Sequence, residues 1–394
     1  MTLHDLARLA RCGVALALFI PRTAFSQDTP PPVPRVVQSL IESWAITADT
    51  TRFRSLQSIV VAGECQVWLV DPTTGVWRVP CEGGVETLVG AIGYDVEDFG
   101  HPIAAARFGA DTVVVYDRAA QQLFYYSANG EFVRARPMAI DESVYGRVQD
   151  VARSSVNGAL LAWTFRYPSA ADKRERAYVV AMHPEGTVRD TVLAVAPPAS
   201  ILYEASFATG RFDAPLHVRP FTAFLGDTGF VLGFNDRETV SLYDSLAGIR
   251  RTVKLPLGEP APVTKADRDA YADSIKRSAE REMDALQYDL SLRNRYRAEV
   301  DRVLAELKYP ERRQLFDLLA VDERGESLWV LLPGRDASYA RTWMVCTFTD
   351  MSFCRTLRVP HKGAVTAVAI RGGALYAIER ALDSAPRVAK YVPR

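Results

Sequence analysis

The chain has no excess of either charge: 47 Lys and Arg balance 47 Asp and Glu over 394 residues. That balance removes the electrostatic footprint that binding to nucleic acid requires. Beyond its first residues it has no uninterrupted apolar run of the ~18 residues a transmembrane helix needs. Cysteine and histidine are scarce, at five each. No C-x-x-C, H-x-H or H-E-x-x-H spacing occurs, which argues against zinc and thioredoxin-type redox chemistry. No G-x-S-x-G elbow, recognisable S-x-x-K or nucleotide-binding glycine motif is present, so nucleophilic catalysis has no sequence signature.

What the chain has in abundance is short alternating apolar segments. In Asp111 to Pro137, strands are expected at Val113 to Tyr116, Gln122 to Tyr126 and Phe132 to Arg136. Asn129-Gly130 is expected to form a two-residue type I′ turn. With Ala104 to Phe108 in front, this stretch reads as a four-stranded meander. Similar units begin near Leu56, Val148, Val218 and Leu315, and a three-stranded one ends the sequence. The turn segments YSANGEFVR, MHPEGTVRD, YDSLAGIRR and FTDMSFCRT recur roughly 50 residues apart once one insertion is set aside, near the period of propeller blades. The expected fold is therefore all-β, a six-bladed β-propeller with a helical insertion between blades four and five. An unclosed β-sandwich is the competing reading. The three-stranded last unit needs an outer strand, which a segment within Arg35 to Ile46 is suited to supply.

The insertion, 264–308, changes period from two to about 3.6. Thr264 and Asp267 resemble a capping box. Tyr271, Ile275, Ala279, Met283, Leu286 and Leu290 make one stripe, and Tyr296, Val300, Val303 and Leu307 a second, out of phase with the first. A helical hairpin or one bent helix accounts for the offset, and either form is compatible with a lid on the propeller or an arm toward a partner.

Residues 1–26 read as a signal peptide: Arg8 and Arg11, an apolar run from Gly13 to Ile20, then Ala24-Phe25-Ser26. A signal anchor is the alternative. Residues 27–55 form a Pro-rich leader and the closing-strand candidate, and 56–394 the propeller. Continuing the register of the hairpin about Asp71 sets Cys65 opposite Cys81, and a hairpin about Asp350 sets Cys346 opposite Cys354. Both pairs suit disulfides in an oxidising compartment, periplasmic or extracellular, with four buried thiols as the alternative.

In a meander, the second-to-third-strand loops and the connections between blades emerge at one end. The first set offers Asp71, Asp117, Arg118, Arg166, Asp236, Arg237, Arg335, Asp336 and Arg380 to Asp383, a mixed-charge ring suited to a polar small molecule or an envelope protein. The same residue types are also ordinary turn formers. The second set offers Asp95, Asp98, His101, His217 and His361 as weak metal candidates, with calcium the most apt ion for the acidic Gly93–Asp98 loop. No cofactor is otherwise indicated.

Through VVVYDRAAQQLFYYSANGEFVR and GFNDRETVSLYDSLAGIRR, the sequence resembles secreted bacterial six-bladed β-propellers of the NHL-like group. The likeness spans Leu56 to Val392 apart from the insertion. It implies a propeller that binds a ligand or a protein. Lactonases and lyases share this architecture, so a metal-dependent hydrolase or lyase with its site at the channel mouth is the second functional class. Their metal-ligand pattern does not map onto this sequence, and no catalytic residue is carried over. That class requires at least three of Asp95, Asp98, His101, Asp117, His217, Asp236 and His361 within ~5 Å of one point.

Overall fold

A computed structural model describes residues 37–47, 53–95, 97–109, 111–153, 160–166, 176–183, 185–195, 200–205, 208–213, 218, 220–225, 229–244, 249–285, 287–322, 324–334, 340–348, 354–381 and 385–394. The signal peptide, most of the Pro-rich leader, His217, Arg335, Asp336 and Asp383 lie outside these residues.

β1 (Val37–Thr47) opens the described chain. β2 (Ser58–Ala62), β3 (Gln66–Asp71), β4 (Gly75–Pro80) and β5 (Thr87–Ala91) form an antiparallel sheet in chain order. β6 (Pro102–Arg107), β7 (Thr112–Asp117), β8 (Gln122–Ser127) and β9 (Phe132–Pro137) form the next, followed by a one-turn helix, α1 (Glu142–Tyr145). β10 (Arg147–Arg153), β11 (Leu160–Arg166), β12 (Arg176–Met182) and β13 (Val188–Val195) make a third sheet. After a hairpin, β14 (Ser200–Ala205) and β15 (Ala208–Asp213), a fourth comprises β16 (Pro220–Leu225), β17 (Gly229–Phe234), β18 (Thr239–Asp244) and β19 (Ile249–Lys254). Two helices, α2 (Lys265–Ala285) and α3 (Leu290–Glu306), follow. The meanders β20 (Leu318–Val321), β21 (Ser327–Leu331), β22 (Arg341–Thr347), β23 (Cys354–Val359) and β24 (Ala364–Arg371), β25 (Ala374–Arg380), β26 (Arg387–Pro393) then share one eight-stranded sheet, because β1 lies between them. β1 is parallel to β23, from Val37↔Thr356, and antiparallel to β26, from Leu40↔Pro393 to Thr47↔Arg387.

The sheets pack face to face in sequence. Val70, Phe99 and Val115 share a core between the first two sheets, and Tyr116, Tyr125 and Val180 one between the second and third. Leu161, Val179, Phe230 and Tyr243 join the third to the fourth, and Val231, Phe316 and Val330 join the fourth to the β20–β23 meander. Trp329, Trp343, Leu375 and Tyr391 then link that meander to β24–β26. Ile59, Leu69, Val79, Tyr376 and Val388 bring the last strands back onto the first sheet. The result is a β-propeller. Burial follows from this stacking: the second strands β3 and β7 are enclosed on both faces, whereas β9 at the periphery is largely exposed.

The Asn129-Gly130 turn departs from expectation. Of the two only Gly130 has positive φ, at 89°, and the turn spans Ser127 to Glu131, closed by Gly130 N–H to Ser127 O at 2.9 Å and Ser127 N–H to Glu131 O at 2.8 Å. The ladder shifts register beside it, between Tyr125 and Tyr126, so this is a three-residue turn with a glycine bulge. Gly186 repeats the device, with φ 90° and the same two bonds to His183 and Thr187. A Cβ on Gly186 would also lie 2.1 Å from Pro137 O on the neighbouring sheet. Gly186→Ala is therefore expected to destabilise the protein by about 2–3 kcal/mol, since it meets both left-handed strain and a backbone clash. A shift in urea midpoint at unchanged slope is the readout.

The chain divides into two compact units. The smaller includes the β14–β15 hairpin and both long helices. There, Thr264 and Asp267 form the capping box: Asp267 Oδ2 accepts from Thr264 N–H at 2.8 Å, and Thr264 Oγ1 accepts from Asp267 N–H at 3.3 Å. The insertion is a helical hairpin, with Gln287 at φ 52° in the bend. Tyr271, Ile275, Ala279 and Met283 pack against Tyr296, Val300 and Val303, whereas Leu290, expected to end the first stripe, opens α3 and is exposed, and Leu286 lies outside the described residues.

Candidate functional site

The end of the propeller unit that carries the second-to-third-strand turns is built on a repeated carboxylate. Asp71, closing β3, is fully buried, and its Oδ2 accepts from the amides of Arg54 at 2.7 Å and Ser55 at 2.6 Å, just before β2. Its Oδ1 holds the turn ahead through Thr73 N–H, at 2.8 Å, and the Thr73 hydroxyl, at 2.6 Å. Asp117, closing β7 and equally buried, repeats this with Gly100 N–H at 2.6 Å, His101 N–H at 3.0 Å and Ala120 N–H at 2.9 Å. Each carboxylate thus satisfies amides of a buried connection and of its own turn with charge-assisted bonds. These two expected ligand-ring carboxylates point into the scaffold.

The arginine that follows reaches the next sheet. Arg118 donates to Val148 O at 3.0 Å, and Arg380 to Leu56 O at 2.8 Å. Burial lowers the Arg380 pKa, with the Asp71 charge acting against it. His101 is held below its usual value by burial and by the Arg118 charge, against the opposing effect of Asp117, and is neutral at physiological pH. In the fourth sheet Asn235 takes the buried position, leaving Asp236 and Arg237 exposed beside it. Their side chains lie 3.6 Å apart, and the Arg237 guanidinium sits 5.0 Å from the Phe234 ring centre. Asp98 turns back on its own loop, accepting from Asp95 N–H at 3.0 Å.

His361 is buried at the lead-in to β24. The Trp343 indole N–H donates to its Nε2 at 3.0 Å. An indole nitrogen can only donate, so Nε2 is unprotonated and the proton sits on Nδ1, which donates to Glu379 Oε1 at 2.6 Å. Glu379, fully buried at the end of β25, also accepts from the Tyr391 hydroxyl and, at 3.1 Å, from Lys362 N–H. Burial pushes the Glu379 carboxyl up, but the hydrogen bonds from His361, Tyr391 and the Lys362 amide outweigh it and leave the group below its ordinary range. Burial and the Glu379 charge raise the Tyr391 hydroxyl. Arg387 stands 3.7 Å from Glu379 and 2.7 Å from Glu42 of β1, which ties the network to that strand.

Glu379, Trp343, Tyr391, Arg387 and Glu42 were not among the sequence candidates. One signal was present: Glu379-Arg380 ends LYAIER as Asp117-Arg118 ends VVVYDR, with Glu379 and Lys362 at the same 17-residue offset as Asp117 and Gly100. In the β20–β23 meander the polarity is reversed, with buried Arg341 on the third strand donating to Asp317 Oδ2 at 2.5 Å and to Leu332 O at 3.0 Å.

Among the described residues no three His, Cys, Asp or Glu side chains converge as metal ligands. Of the weak metal candidates, His361 is committed to Trp343 and Glu379, Asp98 is bonded within its loop, and His217 lies outside the described residues. Both cysteine pairs are disulfides, Cys65–Cys81 and Cys346–Cys354.

No family model and no curated protein matches the chain. Among solved structures, the RRP9 WD40 repeats are 11% identical, with 90% of this chain and 100% of that one covered, at a TM-score of 0.49. The WD40 β-propeller domain of Doa1 is 10% identical, with 90% and 97% covered, at 0.43. Virginiamycin B lyase from Staphylococcus aureus is 11% identical, with 89% and 87% covered, at 0.39.

Proposed function

We propose that this chain is an exported binding or scaffold module, a six-bladed propeller of the NHL-like kind. It acts in the periplasm or outside the cell and holds a polar small molecule or an envelope protein on the face bearing Arg118, Asp236 and Arg237. The count of six treats the eight-stranded sheet as two four-stranded blades, with β1 the outer strand of the β24–β26 blade. Two disulfides support an oxidising compartment.

The observation that carries the binding reading is the use of the buried acids. Asp71 and Asp117 spend their oxygens chiefly on amides of the loops around them, and Glu379 on the Lys362 amide and the His361 and Tyr391 side chains, which ties those loops down and leaves exposed Asp236 and Arg237 as polar contacts on a fixed platform. No described observation favours the metal-dependent hydrolase or lyase.

A photo-crosslinking amino acid placed at Asp236 should capture a discrete partner in intact cells. The same group at Gly372, on the β24–β25 turn at the other end of the strands, should not. Equal capture from both positions, or none from Asp236, contradicts the reading when a polar small molecule likewise fails to protect Arg237 from guanidine-directed labelling.

A further inference from the structure

The register of the third sheet sets two arginines against each other. β11 and β12 pair from Leu160↔Met182 to Arg166↔Arg176, so the rung beside the second-to-third-strand turn carries two like charges directly opposed. Opposed residues of an antiparallel pair stand ~5 Å apart, and like charges there cost stability. Both side chains are half-buried. Strand alternation fixes the face they share. The preceding rung on that face is Thr164↔Tyr178. Thr164 donates its hydroxyl hydrogen to Tyr145 O of α1 at 2.8 Å, and Tyr178 packs with Tyr116 and Tyr125 of the second sheet. Arg166 and Arg176 therefore stand at the end of the seam between the second and third sheets.

A third arginine enters from the other side of the seam. Arg118, just beyond β7, crosses to Val148 O at 3.0 Å, and Val148 is the Cα partner of Thr164. Its guanidinium thus arrives one same-face rung, ~7 Å, from the Arg166–Arg176 pair. A carbonyl neutralises no charge, so this bond holds Arg118 in place while its cation remains. The acids on these segments are turned elsewhere. Asp117 accepts from the amides of Gly100, His101 and Ala120, and Asp141 from the amide and hydroxyl of Ser143. Glu142 accepts from Gln121 Nε2 at 3.2 Å and lies 3.9 Å from Arg147.

We propose that Arg118, Arg166 and Arg176 form an oxyanion site, taking a small molecule that carries clustered phosphate or carboxylate groups. Guanidinium forks match both groups through paired N–H···O bonds. An anion between the opposed arginines replaces their repulsion by attraction to a shared charge. This inference rests on the reading of the Arg118 face as the ligand-bearing one, and it narrows the ligand to an anion.

The test titrates the full chain with tripolyphosphate and with citrate by isothermal calorimetry. At least one probe should bind saturably, raise the thermal midpoint and weaken as salt rises. Arg176→Gln should weaken that binding at least about tenfold and remove the rise in midpoint, with circular dichroism confirming that the variant is folded. Arg136→Gln, an exposed change of equal charge on β9, should leave both unaltered. Binding of tripolyphosphate alone supports the site and names phosphate as the group it takes, and binding of citrate alone names carboxylate. Equal binding by the two variants, or no binding of either probe up to about 1 mM, overturns the proposal. If crosslinking from Asp236 still captures a partner under those results, the binding face stands without this site. If that capture and the protection of Arg237 are absent too, both readings fall.

Discussion

Glu379→Ala is expected to lower the stability of the folded protein by about 3–5 kcal/mol, the usual cost of removing one member of a buried charged network. Three groups lose their acceptor at once: His361 Nδ1–H, the Tyr391 hydroxyl and the Lys362 amide. Arg387 loses one of its two carboxylate neighbours. Glu379→Gln preserves volume and one acceptor oxygen, but it turns an NH₂ group toward a donor, and a loss of about 1–3 kcal/mol is expected. The two variants also separate electrostatics from packing by their pH dependence. The folded pKa of Glu379 lies below its unfolded value of about 4.3, so its contribution is complete above that pH and disappears as pH falls through the folded pKa. The urea midpoints of wild type and Glu379→Gln should therefore keep a constant gap above about pH 4.3 and draw together as pH falls below it. Curves that stay parallel below about pH 4.3, down to acid unfolding, would mean that the carboxylate charge is not what the network uses.

The second large effect concerns Cys65–Cys81. The bridge joins residues 16 apart, for which chain-entropy reasoning gives about 3 kcal/mol, against about 2.5 kcal/mol for the eight-residue separation of Cys346–Cys354. Its setting adds to this. Cys65 Sγ lies 3.9 Å from the Tyr376 hydroxyl across the seam between the first and last strands. The Cys81 carbonyl accepts from the Trp44 indole at 2.7 Å and from Lys390 at 2.9 Å. Replacing both cysteines by serine should lower the thermal midpoint by roughly 3–5 °C, taking ~1–1.5 °C per kcal/mol because the unfolding entropy grows with chain length. Burial also orders the two bridges. Cys346 and Cys354 are both buried whereas Cys65 is partly open, so mild reductant followed by alkylation of the native protein should label residues 65 and 81 first. Labelling of 346 and 354 first, or of all four together, would show that access does not control reduction.

The parts of this molecule that depend on nearby residues were readable in advance. The Cys346↔Cys354 pairing follows from a short hairpin, and the two helices of the insertion follow from stripes at steps of three and four. The Asn129-Gly130 turn was located correctly but assigned the wrong geometry, because a bulge lets Gly130 alone carry the positive φ. The Asp71 and Asp117 positions were found and their direction was not. Whether a turn carboxylate faces solvent or the amides of Arg54 and Gly100 depends on a connection 17 residues earlier. The Glu379 network was less visible still. Trp343, His361, Glu379, Tyr391 and Glu42 come from four strands and a loop whose adjacency exists only once the sheets have stacked. Glu379 itself lies inside a strand, one residue before the loop that drew attention.

The placement of β1 has a kinetic consequence. Its partners, β23 and β26, lie near the far end of the described chain, so each pair in its ladders closes a loop containing most of the sheets. Such contacts yield no free energy until nearly everything between them is ordered. Docking of β1 is then a late step of folding that follows the rate-limiting one, and until it occurs β23 and β26 present unpaired edges to any neighbouring chain. Deleting the Glu42–Arg387 contact, which belongs to that last event, should leave the folding rate unchanged and raise the unfolding rate.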